Sequence, residues 1–299
     1  MTISRFLAQN TKSLAGKTVA LTGSTGGLGL ALSAHLARLG ARLILLDRNE
    51  KRSEENRLRL RGINPNADVR TLRLDLSDMK NVREVTEMLL TDVPDIFIHN
   101  AGAYSIPRCI LDTGYDNVYQ INFVSPYYMI RTLLPEMRKK GGHVMAVGSI
   151  AYRYHKTDPC DVDFRTRSAA SAVYGNAKRY LMFSLYALFE KESAVSLAVT
   201  HPGITATNIT AHYPRLIYAL IKYPMKVIFM RPRRAVLSLL SGVFEKTERN
   251  EWLGPRIFDI WGFPARRRLR GVSDSEAQAI ASAADAIYLK LKNEGISQE

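Results

Sequence analysis

The chain has 299 residues, 46% of them apolar, and a formal net charge of +14. That length supplies ample core for one large domain or two small ones, and two cysteines, Cys109 and Cys160, exclude a disulfide framework. No apolar run reaches the roughly 18 residues of a membrane-crossing helix, and the first residues lack the apolar core of a secretory signal, so a cytoplasmic protein is expected. The basic excess is spread along the chain, densest at 52–61, 138–140, 231–234 and 266–270. No nucleic-acid-reading motif accompanies it. A solvated basic surface, suited to an anionic cofactor, lipid or substrate, is expected in place of a nucleic-acid partner.

Residues 1–15 read as a polar leader with a short helix lying on the domain. Val19, Ala20 and Leu21 then form an apolar run of strand length, broken by Thr22-Gly23-Ser24-Thr25-Gly26-Gly27-Leu28-Gly29. Leu28, Leu32, Leu36 and Leu39 recur at helical spacing until Gly40 stops the helix. Strand, glycine turn and helix open a nucleotide-binding βαβ unit. The glycines let the backbone approach a pyrophosphate, and the helix N-terminus presents free N–H groups to it.

A second buried strand is predicted at 42–46 and ends at Asp47, where a carboxylate can bond both ribose hydroxyls and repel a 2′-phosphate; Arg48 follows and could turn toward one. NAD is therefore expected, with NADP as the alternative. An exposed basic helix follows at 49–61 and a third strand at 69–74, running into Asp75-Leu76. Next come a helix at 78–90, a fourth strand at 95–98 before His99-Asn100-Ala101-Gly102, and a long helical region at 116–139. Strand five (143–147) leads to Ser149, and a helix at 172–190 precedes strand six (195–200). Near-continuous apolar strands alternating with helices predict an α/β fold: a Rossmann-like, doubly wound parallel sheet with its site at the strands' C-terminal ends.

Tyr174 and Lys178 stand four residues apart at the start of the helix after strand five, so they share a face. An isolated phenol titrates near pH 10 and is a poor acid–base at neutral pH, but a nearby positive charge lowers its pKa. Such a tyrosine can protonate a carbonyl oxygen or deprotonate an alcohol. Taken alone, the pair also reads as an exposed helical contact. His35, His143, His155 and His212 show no metal-ligand spacing, and no metal site is expected.

These motifs, spanning residues 22–207 in order, resemble the short-chain dehydrogenase/reductase family. The glycine spacing is TGxxxGxG, and His99-Asn100-Ala101-Gly102 is similar to the family's NNAG motif, with histidine for the first asparagine. Asn122, Ser149, and Tyr174 with Lys178 fall at its helix asparagine, strand-five serine and YxxxK pair; Pro202-Gly203-Ile204-Thr205-Ala206-Thr207 looks like its PG-x-x-x-T segment. The resemblance implies that Tyr174 is the general acid–base and that Lys178 lowers its pKa and bonds the nicotinamide ribose. It implies that Ser149 donates to the substrate oxygen and that Asn122 holds a water relaying protons to Lys178. From the residues alone, Ser149 reads as a strand-end cap and Asn122 as a satisfied helix amide. Cofactor contacts are implied for Gly23, Ser24, Thr25, Gly27, Leu28, Gly29, Asp47, Arg48, Asp75, Leu76, Asn100, Ala101, Gly102, Tyr174, Lys178, Pro202, Gly203, Thr205 and Thr207. The long interval between Ser149 and Tyr174, containing Asp161-Val162-Asp163-Phe164, and His201 before Pro202 resemble the retinol-dehydrogenase-like branch.

Residues 213–230 are apolar and aromatic, punctuated by lysines and prolines, and are expected to cover the substrate site, which favours an apolar substrate. A basic amphipathic patch at 213–234 resting on an anionic membrane is the compatible second use. A further helix is predicted at 231–246, a seventh strand at 256–260, and a terminal helix at 273–292 with Ser273 and Glu276 as a capping box. The expected division is a leader (1–15), one dehydrogenase domain (16–262, with a helical substrate lid at 204–235) and a C-terminal helical extension (263–299). The expected function is hydride transfer between a nicotinamide dinucleotide and an apolar alcohol/carbonyl pair. A non-catalytic nucleotide sensor on the same fold is the alternative, and a homo-oligomer is compatible with either.

Overall fold

The computed structural model describes residues 2–204 and 230–296. Its centre is an eight-stranded sheet of order β3-β2-β1-β4-β5-β6-β7-β8. The strands are β1 (Thr18–Thr22), β2 (Arg42–Asp47), β3 (Val69–Arg73), β4 (Ile96–His99), β5 (His143–Val147), β6 (Ser196–Thr200), β7 (Glu251–Ile257) and β8 (Trp261–Arg268). β1 to β7 pair in parallel, and β8 returns antiparallel to β7. The order reverses between β1 and β4, and a doubly wound sheet opens its ligand crevice at that point, beyond the strands' C-terminal ends.

Alternation along each strand splits the core into two layers. Val19, Leu21, Leu43, Leu45, Ile96, Ile98, Met145 and Val147 bury one face against α2 (Gly27–Arg38) and the helix Pro232–Phe244. Ala20, Ile44, Phe97, Val144 and Ala146 bury the other against α4 (Met79–Thr91), α6 (Ser125–Arg138) and α7 (Ala170–Phe189). Two N-caps match the sequence: Asn49 accepts from Arg52 N at the start of α3 (Glu50–Ile63), and Asp78 accepts from Lys80 N and Asn81 N at α4. The leader holds α1 (Ile3–Asn10), whose buried Phe6 packs on Phe263 of β8 with ring centroids 5.5 Å apart.

Four expectations at the C-terminal end are corrected. The strand expected at 256–260 is instead the hairpin of β7 and β8, with Phe258 and Asp259 in the left-handed region at its turn. The expected boundary at 262 therefore cuts through β8. The terminal helix, Asp274–Ile296, is no appendage: Ile280, Ala284, Ile287 and Leu291, at helical spacing, are buried in the same core layer as Tyr128 and Tyr186. The capping box is also only half made. Ser273 Oγ accepts from Glu276 N at 3.2 Å, but the Glu276 carboxylate turns to the buried Arg179 (2.6 and 2.8 Å) and to Thr157. A charged partner in the core outcompetes a backbone N–H at an exposed helix end.

Candidate active site

The cofactor loop is built by close approach. Gly23, at φ +71°, passes so near the Ala101 backbone that a Cβ would stand 2.8 Å from its Cα. A Cβ on Gly29 would fall 2.0 Å from Gly23 O. Gly26 caps α2 with no side-chain hydrogen bond, so the first-turn N–H groups are left to a ligand. This cradle fits a pyrophosphate. Leu28 packs into the core layer beneath it, Gly27 opens the helix, and Asn100 clamps the loop by donating to Thr22 O (3.1 Å) and Gly23 O (2.9 Å).

Asp47 does more than stand at the end of β2. Its buried carboxylate accepts from Ser24 Oγ (2.6 Å), Thr25 N (3.2 Å) and Ser53 Oγ (2.8 Å), so it also holds the cofactor loop to α3. Arg48 is exposed beside it, and Arg52, which the sequence reading did not single out, donates to Thr25 O at 3.0 Å. Asp75 is oriented by Ser77, whose N–H and hydroxyl both donate to it. Leu76 O accepts from Ser125 Oγ and Gln120 Nε2. Gly203, at φ +81°, lies against Ile260 O and Met230, where a Cβ would stand 2.7 Å from each. Thr205, Thr207 and residues 205–229 of the expected lid lie outside the described residues.

The four residues assigned to catalysis converge at the ends of β4 and β5. Asn122 sits in a π-helical stretch, Gln120–Val124, between α5 (Asn117–Tyr119) and α6. Such widened turns often mark functional positions because they re-aim a side chain. Its amide donates to Ala103 O and Val118 O (2.8 Å each) and accepts from Ala103 N (3.3 Å). A Cβ on Gly102 would stand 2.7 Å from Asn122 Oδ1 and 3.7 Å from Lys178 Nζ, so glycine lets both reach the turn after β4. Ser149 Oγ accepts from Ala151 N at 3.3 Å, capping a short 3₁₀ turn (Ile150–Arg153), and acts on the Tyr174 phenol. The alternative readings of Ser149 and Asn122, as a cap and a satisfied amide, thus describe bonds that both side chains make.

Tyr174 is half-buried, with Tyr104 edge-on to its ring at 5.3 Å. Burial pushes its phenol up to about 12, and the hydrogen bond with Ser149 works the other way. Lys178 Nζ lies 5.8 Å from the Tyr174 ring centroid and donates to Val147 O at 2.9 Å. Burial lowers the lysine to about 7. His99, fully buried, is held well below its ordinary value by burial and by Lys178. The arrangement offers a proton-carrying phenol, a hydroxyl and a buried amine at one end of a dinucleotide cradle. It can bind a polarised carbonyl or alcohol oxygen and move one proton at it. Among the described residues no group of three or more His, Cys, Asp or Glu side chains could hold a metal ion.

Residues 17–215 match the family model of short chain dehydrogenases. The chain belongs to the short-chain dehydrogenase family. Among relatives, retinol dehydrogenase 14 of Mus musculus is 30% identical over 217 residues, covering 66% of this chain and 64% of its own. The chloroplastic short-chain dehydrogenase TIC 32 A of Brassica napus is 29% identical over 210 residues, covering 65% of this chain and 66% of its own. The matched stretch spans just under two thirds of the length of each of these relatives. Of solved structures, an uncharacterized protein from Mycobacterium paratuberculosis superposes with a TM-score of 0.71 at 22% identity, covering 96% of this chain and 97% of its own. L-sorbose reductase from Gluconobacter frateurii, complexed with NADPH and L-sorbose, gives 0.60 at 21% identity over 77% and 90% of the two chains. At these identities the structural likeness establishes the fold.

Within this short-chain dehydrogenase the structure explains the insertion between Ser149 and Tyr174. Asp163 is buried and accepts from Asp116 N at 2.8 Å and from Arg165, while Asp116 pairs with Arg108 at 2.8 Å. Phe164, at φ +54°, is buried with Val118, Ala172 and Val173, and Asn176 donates to Val162 O. The insertion therefore ties the loop after β4 to the start of α7 and braces the helix that presents Tyr174 and Lys178. The one sequence signal was the long interval holding two acids and a phenylalanine. Its partners Arg108 and Asp116 lie some forty residues or more upstream, out of reach of a local reading.

Proposed function

We propose that this chain is a nicotinamide-dependent oxidoreductase acting on an apolar alcohol/carbonyl pair, with Tyr174 as its general acid–base. The observation that carries the reading is the meeting of Asn122 and Lys178 at Gly102, with Tyr174 beside Lys178 and Ser149 acting on the Tyr174 phenol, next to an uncapped, glycine-lined helix N-terminus. The dinucleotide, when bound, supplies or accepts the hydride and, when oxidised, a positive charge. Tyr174 moves the proton at the substrate oxygen, and Ser149 holds that oxygen. Lys178 binds the nicotinamide ribose and, as an ammonium, favours the phenolate; Asn122 positions a water leading to it. Gly23, Ser24, Thr25, Gly27 and Gly29 line the phosphates, Asp47 and Arg48 the adenosine ribose, and Asp75 and Leu76 the adenine. Retinol, named in the mouse relative, is an apolar alcohol, which fits the hydrophobic composition of 213–230. A nucleotide sensor needs only the cradle, so the complete set of four favours the enzyme. Cofactor turnover by the purified protein across a panel of apolar alcohols and ketones tests this; binding without turnover on any member would favour the sensor.

Two outcomes follow for specificity. NAD is preferred over NADP by about tenfold, because a carboxylate at the ribose opposes a 2′-phosphate by 1–2 kcal/mol near a protein surface. Arg48 and Arg52 keep that preference from being absolute. kcat/KM with each cofactor measures it, and Asp47→Ala shifts the ratio toward NADP; part of the loss with both cofactors will reflect the released loop, since Asp47 bonds Ser24, Thr25 and Ser53. In the lid, replacing Ile217, Leu220 and Ile221 with serine raises KM for apolar substrates and spares cofactor affinity. An unchanged KM would remove the lid from the substrate site. Co-sedimentation with anionic vesicles tests separately whether 213–234 rests on a membrane; among the described residues no helix is long and apolar enough to cross one.

A further inference from the structure

We propose that His99 is a positioning residue, locked in its neutral, Nε2-protonated form by Thr22 so that the floor beneath Lys178 never gains a second positive charge. The proposal rests on the role given to Lys178 above. It begins with the hydroxyl of Thr22. Thr22 Oγ1 accepts from Asn100 N and from Ala101 N, both at 3.0 Å. A hydroxyl has two lone pairs and one hydrogen, and both lone pairs are taken. His99 Nδ1 lies 3.2 Å from the same oxygen. The remaining hydrogen is the one that fills this contact, so Thr22 donates and Nδ1 accepts. A neutral imidazole that accepts at Nδ1 carries its proton at Nε2.

The placement of the ring gives this tautomer a consequence. Thr22 follows Ala20, and His99 follows Phe97, on the strand face covered by α6 and α7. Lys178 stands on α7 over that face. Among the described residues it is the charged group acting on His99, and Nε2 finds no hydrogen-bond partner there. Protonating the ring would set an Nδ1–H against an oxygen with no free lone pair and place an imidazolium beside a buried ammonium. Both changes are unfavourable where both side chains are buried. An ordinary histidine would gain charge between pH 5 and 8 and tend to discharge Lys178. The asparagine that the family motif carries here cannot titrate. The Thr22 hydroxyl makes histidine behave like it.

Two measurements on the full chain test this. In ¹⁵N-histidine-labelled protein, the His99 signal, identified by its loss in His99→Asn, should show the neutral Nε2–H pattern from pH 8 to pH 5 with no midpoint. A midpoint within that range, or an Nδ1–H pattern, overturns the proposal, and neither result depends on turnover. The second measurement is kcat/KM against pH. Thr22→Val should lose about tenfold more, relative to wild type, at pH 6 than at pH 8, corresponding to a shift of one unit. Thr22→Val/His99→Asn should lack this extra acid loss, and Thr22→Ser should keep the wild-type profile. A Thr22→Val loss that is equal at both pH values, or that persists in the double variant, would assign Thr22 only to holding the Asn100–Ala101 turn. Failure of the Lys178 assignment itself would appear elsewhere, as undiminished activity and cofactor affinity in Lys178→Ala.

Discussion

Replacing Tyr174 with phenylalanine is expected to lower turnover by about a hundredfold to ten-thousandfold while leaving dinucleotide affinity nearly unchanged. A positioned general acid–base contributes that range, and phenylalanine removes the proton carrier alone. The ring keeps its edge-on contact with Tyr104, so the pocket wall survives the change. Steady-state rates and a fluorescence titration of reduced cofactor, run on the same preparation, separate the two effects. Near-full activity in Tyr174→Phe would refute the mechanism. Lys178→Ala is expected to differ in kind, because Lys178 is assigned to both ribose binding and proton chemistry: it should lose rate and weaken the cofactor together. In wild type, the burial that brings Lys178 to about 7 and Tyr174 to about 12 sets the starting point from which a bound, oxidised cofactor acts.

The second large effect lies away from the site. Arg179, fully buried on α7, donates to Tyr152 O, Gly271 O and both oxygens of Glu276, tying the terminal helix to the core behind Tyr174. Removing one partner of a buried ion pair strands the other charge and costs about 3–5 kcal/mol. Arg179→Met should therefore lower Tm by roughly 5–15 °C in a chain of this size. Replacing both partners with apolar residues should recover much of the loss, since the desolvation of both ions is then avoided. A change under about 1 kcal/mol would mean that the helix is held by its apolar face alone. The pair also predicts acid sensitivity. Burial pushes the Glu276 carboxyl up, but Arg179 and Thr157 outweigh it and leave the group below its ordinary 4.5. Its contribution to stability is complete above that value and is lost as pH falls through the lower folded value. Glu276→Gln should flatten this part of the stability profile.

Local signals carried the fold a long way. β1 to β6 and their helices were legible because parallel strands buried on both faces read as apolar runs, and each lies next to the turn that ends it. The glycines at 23 and 29 were legible for a similar reason: close approach admits no side chain, whatever the rest of the chain does. The order of Asn122, Ser149, Tyr174 and Lys178 was also in the sequence, although their meeting was implied only by resemblance. The tertiary structure decided matters that depend on partners distant in sequence. It made β7 and β8 a hairpin whose outer strand packs on Phe6, 257 residues before Phe263. It turned Glu276 from a cap toward Arg179, because a buried guanidinium binds a carboxylate more strongly than an exposed N–H does. It put Asp47 to work on the cofactor loop, and it set a buried histidine under Lys178 with Thr22 as its donor. The last three depend on which lone pair or proton is still free after the backbone has folded, and that count exists only in three dimensions.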